Sequence, residues 1–359
     1  MILTELQLKS SQLHSSLFLR QLFEIPDLKL FQLQPEKVCT NLSAEQLGGM
    51  ACSIGDGQPS RVSENWQPAK MIIRAQALTL DKVLKVQQAL HEQMQVKGIR
   101  AIALNDRKQD YGVGLDIALS PQGVPKELLH KLALTHQLEL NLLTRSVSLK
   151  KPGLLLMDMD STMIAMECID EIAKLAGVGE QVSEVTELAM QGKLDFAGSL
   201  CSRVACLENA SEEILWQVRE AMPIMPGLER LVSLLKSHGW KVALVSGGFT
   251  FFADYLKQRL GLDFARANEL EIIDGRLTGK VQGEIVDGTV KANTLAELAQ
   301  RYDIGMQQTV AMGDGANDLK MMAQAGLGVA YKAKPVVLQQ ADAAIRFGGL
   351  DELLYLLES

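Results

Sequence analysis

Leu154-Leu155-Leu156-Met157-Asp158-Met159-Asp160-Ser161-Thr162 is the stretch that decides the fold of the larger part of this chain. Four apolar residues ended by acids suit a strand buried on both faces of a parallel sheet, because alternate side chains then both meet helices. Val242-Ala243-Leu244-Val245 and Thr309-Val310-Ala311-Met312 have the same form, and Gly328-Val329-Ala330 and Ala343-Ala344-Ile345 are shorter versions. Helical spacing over 226–237, 249–260, 291–302, 317–325 and 335–341 alternates with these runs. That alternation predicts a doubly wound α/β domain over 151–359 with a parallel sheet. Residues 164–221 read as helical with no strand, which is too long for a crossover. They predict a helical cap of about 164–224 inserted after the first strand. Asp274-Gly275 between two strand-like runs is a hairpin signal.

Upstream, Lys151-Pro152-Gly153 reads as a linker. Before it, 71–78, 99–104, 112–119 and 139–149 read as strands, and 80–96 and 125–136 as helices. The polar turn Asn105-Asp106-Arg107-Lys108 divides the middle pair. The order βαββαβ predicts an α+β domain over 67–150, an antiparallel sheet with both helices on one face. That order resembles the ACT-like regulatory domains attached to amino-acid enzymes. The resemblance implies serine as an inhibitor or effector; the alternative is a purely structural or dimerising module, forming a homodimer through this domain. Residues 1–66 mix apolar residues with Pro26 and a Gly/Ser-rich stretch at 48–60, and read as an irregular N-terminal extension.

Composition narrows the class. A chain of 359 residues favours two domains, and 47% apolar with 22% charged residues argues against disorder. The net charge of −7 offers no basic surplus for nucleic acid. No apolar run approaches the roughly 18 residues of a membrane span. Five cysteines at irregular spacing, with no basic start and apolar core at the N-terminus, predict reduced thiols in a cytoplasmic protein.

In an open parallel sheet ligands sit outside the carboxyl ends of the strands. The residues there are Asp158 and Asp160 after the first strand, Ser246-Gly247-Gly248 after the second, and Gly313-Asp314-Gly315-Ala316-Asn317-Asp318 after the third. Any one of these motifs could be a bare turn or a cation site. Together they suit phosphate-monoester hydrolysis, where an anionic nucleophile must approach an anionic phosphorus among fixed positive charges. Mg²⁺ fits such a site because it takes few protein oxygens and keeps its waters. Asp158 and Asp314 can offer carboxylates and Asp160 its backbone carbonyl. The Asp160 side chain is then free for proton transfer. Ser246 and the Gly-rich helix start can cradle phosphate. Lys291, opening the helix after Val286-Asp287-Gly288-Thr289-Val290, is the leading candidate for the missing cation.

These residues resemble the four motifs of the haloacid-dehalogenase-like hydrolases, over residues 154–350. Within that family the cap is similar to the branch that hydrolyses O-phosphoserine. Glu167 in Glu167-Cys168-Ile169-Asp170-Glu171-Ile172-Ala173 resembles the receiver of the substrate ammonium, Arg203 the receiver of its carboxylate, and Phe196 an aromatic lid. The resemblance implies a HAD-like, Rossmannoid core and an aspartyl-phosphate on Asp158. It further implies Asp158, Asp160 and Asp314 at Mg²⁺. Ser246, Gly247, Lys291 and Asn317 would contact substrate, and Met190 would line the pocket. Asp318 is expected to support the site without contacting the metal. The implied reaction is the last step of serine biosynthesis. Phosphothreonine and phosphohomoserine stay open as alternative substrates, since Glu167 and Arg203 do not exclude an added carbon.

Overall fold

The computed structural model describes residues 3–25, 28, 30–33, 37–40, 42, 46, 52–55, 67–104, 107–191 and 193–358. The chain forms two compact units, Met1–Ser146 with Leu354–Leu356, and Val147–Leu353 with Leu357–Ser359.

The first unit carries one eight-stranded antiparallel sheet. Its strands are β1 (Leu3–Gln7), β2 (Leu30–Leu33), β3 (Lys37–Thr40), β4 (Cys52–Gly55), β5 (Gln67–Arg74), β6 (Met94–Leu104), β7 (Arg107–Leu119) and β8 (Glu139–Leu143), in the spatial order β4-β1-β3-β2-β6-β7-β5-β8. The expected βαββαβ unit is present as β5, helix Leu80–Ala89, β6, β7, helix Lys126–His136 and β8. The start of the predicted turn, Asn105 and Asp106, lies outside the described residues. Where an irregular extension is expected over 1–66, the described residues hold β1–β4, which extend the same sheet, while Pro26 and most of 48–60 lie outside the described residues. The order β4-β1-β3-β2 repeats β8-β5-β7-β6 strand for strand, and the two halves join where β2 pairs β6 at Leu30↔Ile99. Leu6, Leu19, Leu22 and Leu30 from the first half and Met71, Ile73, Val83 and Leu115 from the second belong to one buried cluster. Described residues on both sides of 66 therefore share one core.

The second unit is built on β9 (Leu154–Met157), β10 (Lys241–Phe249), β11 (Phe264–Ile273), β12 (Arg276–Gln282), β13 (Thr309–Gly313), β14 (Leu327–Tyr331) and β15 (Ala343–Ile345), ordered β12-β11-β10-β9-β13-β14-β15. All neighbouring pairs are parallel except β11 with β12. The central strand β9 is fully buried. Leu154 and Leu156 pack in a cluster with Leu295, Leu298, Met321 and Met322. The alternate residues Leu155 and Met157 are equally buried on the opposite face. The predicted hairpin is a two-residue turn with both residues left-handed, Asp274 at φ 49° and Gly275 at φ 73°.

Between β9 and β10 stand four cap helices, Cys168–Leu175, Gly179–Met190, Phe196–Ala205 and Glu213–Glu220. The cap is tied back to the core through the hairpin. Asn209 N–H donates to the Leu277 carbonyl and Leu277 N–H to the Ala210 carbonyl, each at 2.9 Å.

Candidate active site

The sheet register brings the three motifs together. Leu244 on β10 and Met312 on β13 are both level with Met157 on β9. Asp158 is thus flanked by Val245 and Gly313, and the next residues along those strands are Ser246 and Asp314. The strand-end loops open side by side at the centre of the sheet.

Asp158 is held from three directions. Its N–H donates to the Met312 carbonyl at 3.0 Å. Its Oδ1 accepts the Met159 N–H at 2.7 Å, and its Oδ2 lies 2.7 Å from Lys291 Nζ. Lys291 reaches there because Asp287 caps its helix (Gly288–Arg301), accepting the N–H groups of Thr289 and Val290 at 2.8 Å each. The same ammonium donates to Asp318 Oδ1 at 2.7 Å, and Asp318 Oδ2 accepts the Gly315 N–H at 3.1 Å. Lys291 and Asp318 are both 0% exposed. Burial alone would drive the proton off Lys291. The flanking carboxylates of Asp158 and Asp318 outweigh it and hold the ammonium above the ordinary lysine value.

Asp160 differs from Asp158. Its Oδ1 accepts the Cys168 N–H, at 3.1 Å. Burial, then the charges of Glu167 and Asp158, push its carboxyl up to about 7 against the opposing Cys168 bond. A carboxyl poised near neutrality suits a group that gives and takes a proton. Asp314 is raised to about 6, chiefly by burial and then by Asp158 and Glu167. Thr162 Oγ1, fully buried, donates to Asp314 Oδ1 at 3.4 Å.

Side-chain oxygens of Asp158, Asp314 and Asp318 lie within 4.8 Å of one another. Such crowding raises carboxyl pKa values, and a divalent cation with oxygen preference relieves it, so the residues fit a metal. The side-chain cluster contains Asp318 where the sequence reading has Asp160. The Asp160 carboxylate bonds Cys168 and stands outside that cluster, and the sequence reading uses its backbone carbonyl. Asp318 is already bonded to Lys291 and Gly315, which suits a supporting acid.

The loops and the cap enclose a cavity of about 490 Å³. Of the sequence-predicted residues, Asp158, Asp160, Glu167, Phe196, Arg203, Ser246, Gly247, Asp314 and Asn317 all line it. Lys291 stands behind the wall, and the side chain of Met190 lies outside the described residues. Ser246 Oγ accepts the Gly248 N–H at 2.9 Å, fixing the Gly turn. A Cβ on Gly247 would stand 2.6 Å from Cζ of Phe196, so glycine is what lets the cap ring lie over the core loop. Two residues escaped the sequence reading. Lys334 lines the cavity after β14, where the strand-end rule alone would have found it. Asn268, 1% exposed, donates to the Gly247 carbonyl and accepts the Val286 N–H, both at 2.8 Å. An isolated Asn inside a strand gives no such signal.

Comparison with known proteins agrees with this geometry. Residues 153–326 match the family model of haloacid dehalogenase-like hydrolases. A phosphoserine phosphatase from Vibrio cholerae is 60% identical over 211 residues, 59% of this chain. The match spans 64% of that relative's length. The crystal structure of a probable phosphoserine phosphatase from Vibrio cholerae, unliganded, is 46% identical with TM-score 0.66, covering 80% of this chain and 86% of that one. A substrate-bound phosphoserine phosphatase structure is 41% identical with TM-score 0.55, covering 58% of this chain and 99% of that one.

Proposed function

Because the chain belongs to the haloacid dehalogenase-like hydrolases, we propose that it hydrolyses O-phospho-L-serine to L-serine and phosphate through an aspartyl-phosphate on Asp158. The observation that carries this reading is the convergence of an anion receiver, Arg203, and a cation receiver, Glu167, on the cavity that holds Asp158 and Ser246. A phosphate ester with both an ammonium and a carboxylate complements all three points. The relatives named phosphoserine phosphatase support the same substrate.

Asp158 attacks phosphorus, forming the O–P bond as the seryl oxygen leaves. Asp160 gives its proton to that oxygen. In the second half Asp160 takes a proton from the attacking water, and the acyl phosphate opens to phosphate and a free Asp158 carboxylate. Lys291 keeps the nucleophile aimed and offsets charge on the phosphoryl oxygens. Ser246, the Gly247 loop and Asn317 cradle those oxygens. Mg²⁺, held by the carboxylates of Asp158 and Asp314 with the Asp160 carbonyl, would neutralise the phosphoryl group when bound. Phe196 on the cap excludes bulk water over the Gly loop.

The proposed setting is the last step of serine biosynthesis in a reducing cytoplasm. Free thiols at Cys39, Cys168, Cys201 and Cys206 support that compartment. Among the described residues no helix is long and apolar enough to cross a membrane. For the first unit the proposal is serine binding or homodimer formation.

The test is phosphate release from O-phosphoserine with Mg²⁺, beside phosphothreonine and phosphohomoserine. The reading expects kcat/KM highest for phosphoserine. A faster reaction on a phosphate ester without an amino-acid head would overturn it.

A further inference from the structure

Ser161 is the one residue of the nucleophile motif with no assigned part, and its geometry is unusual. It sits in the left-handed region, φ 55°, where a residue other than Gly, Asn or Asp is disfavoured. Strain of this kind persists where the surroundings over-determine the conformation, and it clusters at functional sites. Two bonds use the turn. The Ser161 N–H donates to the Met166 carbonyl at 3.2 Å, and its hydroxyl donates to Glu167 Oε1 at 2.7 Å.

The consequence shows at the start of the first cap helix. Glu167 occupies the N-cap position of Cys168–Leu175, yet its carboxylate makes no capping bond. The N–H of the first helical residue, Cys168, goes to Asp160. Glu167 is thereby released from its own helix, with one oxygen tied to Ser161 and the other available to the cavity. A long, flexible glutamate at a cavity wall gains specificity only if its rotamer is fixed before the ligand arrives.

We infer that Ser161 is a positioning residue for ammonium recognition. Its hydroxyl orients Glu167 toward the substrate amine and touches neither phosphate nor leaving group. The inference rests on the proposed phosphoserine reading.

The test compares O-phosphoserine with 3-phosphooxypropionate, which keeps the carboxylate and phosphate and lacks the amine. Ser161→Ala removes the hydroxyl and keeps the strained backbone. Ser161→Gly removes the hydroxyl and relieves the strain at φ 55°, so it tests the hydroxyl without a backbone cost. Both should raise KM for phosphoserine about tenfold, the scale of one hydrogen bond to a charged group, with kcat within about twofold. Turnover of the amine-free ester should stay within about twofold. In a Glu167→Ala background, Ser161→Ala should change neither substrate further, because the bond it removes is already gone. An equal loss on both substrates, or a loss that persists without Glu167, would overturn the role of Ser161 and point to a distorted Asp158–Asp160 loop. Wild-type protein that turns over both esters equally well would overturn the substrate assignment, and the positioning role with it.

Discussion

The core and the cap face one cavity but hold their functional side chains in opposite ways. On the core side Asp158, Ser246, Lys291 and Asp318 are 5%, 1%, 0% and 0% exposed, each locked by short polar contacts. On the cap side Arg203 bonds through its Nε only to the Ser199 carbonyl of its own helix, at 3.4 Å, and Phe196 is half-buried. Fixed charges can stabilise a transition state only if they do not reorganise as it forms. Recognition groups, even one tied at one oxygen like Glu167, need open hydrogen-bonding capacity that the substrate fills. Core substitutions should therefore act on kcat and cap substitutions on KM, and the sharpest tests are those that set one against the other.

Asp158→Asn should produce the largest effect. It keeps the shape and the Met159 bond but removes the nucleophilic charge, so kcat should fall about 10⁴-fold with KM nearly unchanged. Steady-state phosphate release measures both constants, and residual kcat above about a hundredth would break the division of labour. Lys291→Met comes next. Losing the buried ammonium leaves Asp158 and Asp318 facing each other, at a stability cost of about 3–5 kcal/mol. The kcat should drop roughly 10²–10³-fold. Urea unfolding and kinetics on the folded fraction separate the two losses. Arg203→Ala, by contrast, should raise KM about 10–100-fold and leave kcat within severalfold, because it removes one charge-assisted bond to the substrate carboxylate.

The same contrast governs what the sequence discloses. Core groups sit at the ends of uninterrupted apolar strands, so Asp158, Ser246 and Asp314 are legible from where each run stops. Lys291 is legible only by order along the chain, since its bond to Asp318 joins residues 27 apart. Cap residues carry no pattern of their own: Glu167 and Arg203 stand on amphipathic helices like any surface charge, and only the family resemblance singles them out. Asn268 and the turn at Ser161 depend on tertiary bonds that no local spacing encodes. In the first unit, strands of four or five residues such as β2, β3 and β4 are too short for alternation to register, which is why residues 1–66 hid a repeat of the strand order that follows them.

Crowded carboxylates at the strand ends also make a pH signature. Asp160 and Asp314 are raised to about 7 and about 6 in the folded chain, from 3.8. The native state thus binds more protons than the unfolded one between about pH 4 and 7, so metal-free stability should fall as pH rises through that window. A cation reverses this by compensating the ionised acids. Saturating Mg²⁺, near a hundred times Kd, contributes about 2.7 kcal/mol and should raise Tm by roughly 5–10 °C at pH 8. At pH 5 the gain should be markedly smaller. Calorimetry at the two pH values, with and without Mg²⁺, checks this, and an equal rise at both would contradict a metal held by these acids.

Lys334 separates burial from domain as the cause of the contrast. It belongs to the core by chain position, yet its side chain is exposed at the cavity, where its charge acts on Asp314 and Glu167. If pre-organised burial is what makes a residue catalytic, Lys334 should behave like the cap. Among so many carboxylates its role is then to draw in an anionic substrate, an effect on association that salt screens. Lys334→Ala should lower kcat/KM about threefold at low ionic strength, with kcat unchanged, and the difference should vanish near 0.5 M salt, where the screening length is about 4 Å. A salt-independent loss in kcat would instead tie the core's kinetic weight to its place in the sheet, exposed residues included.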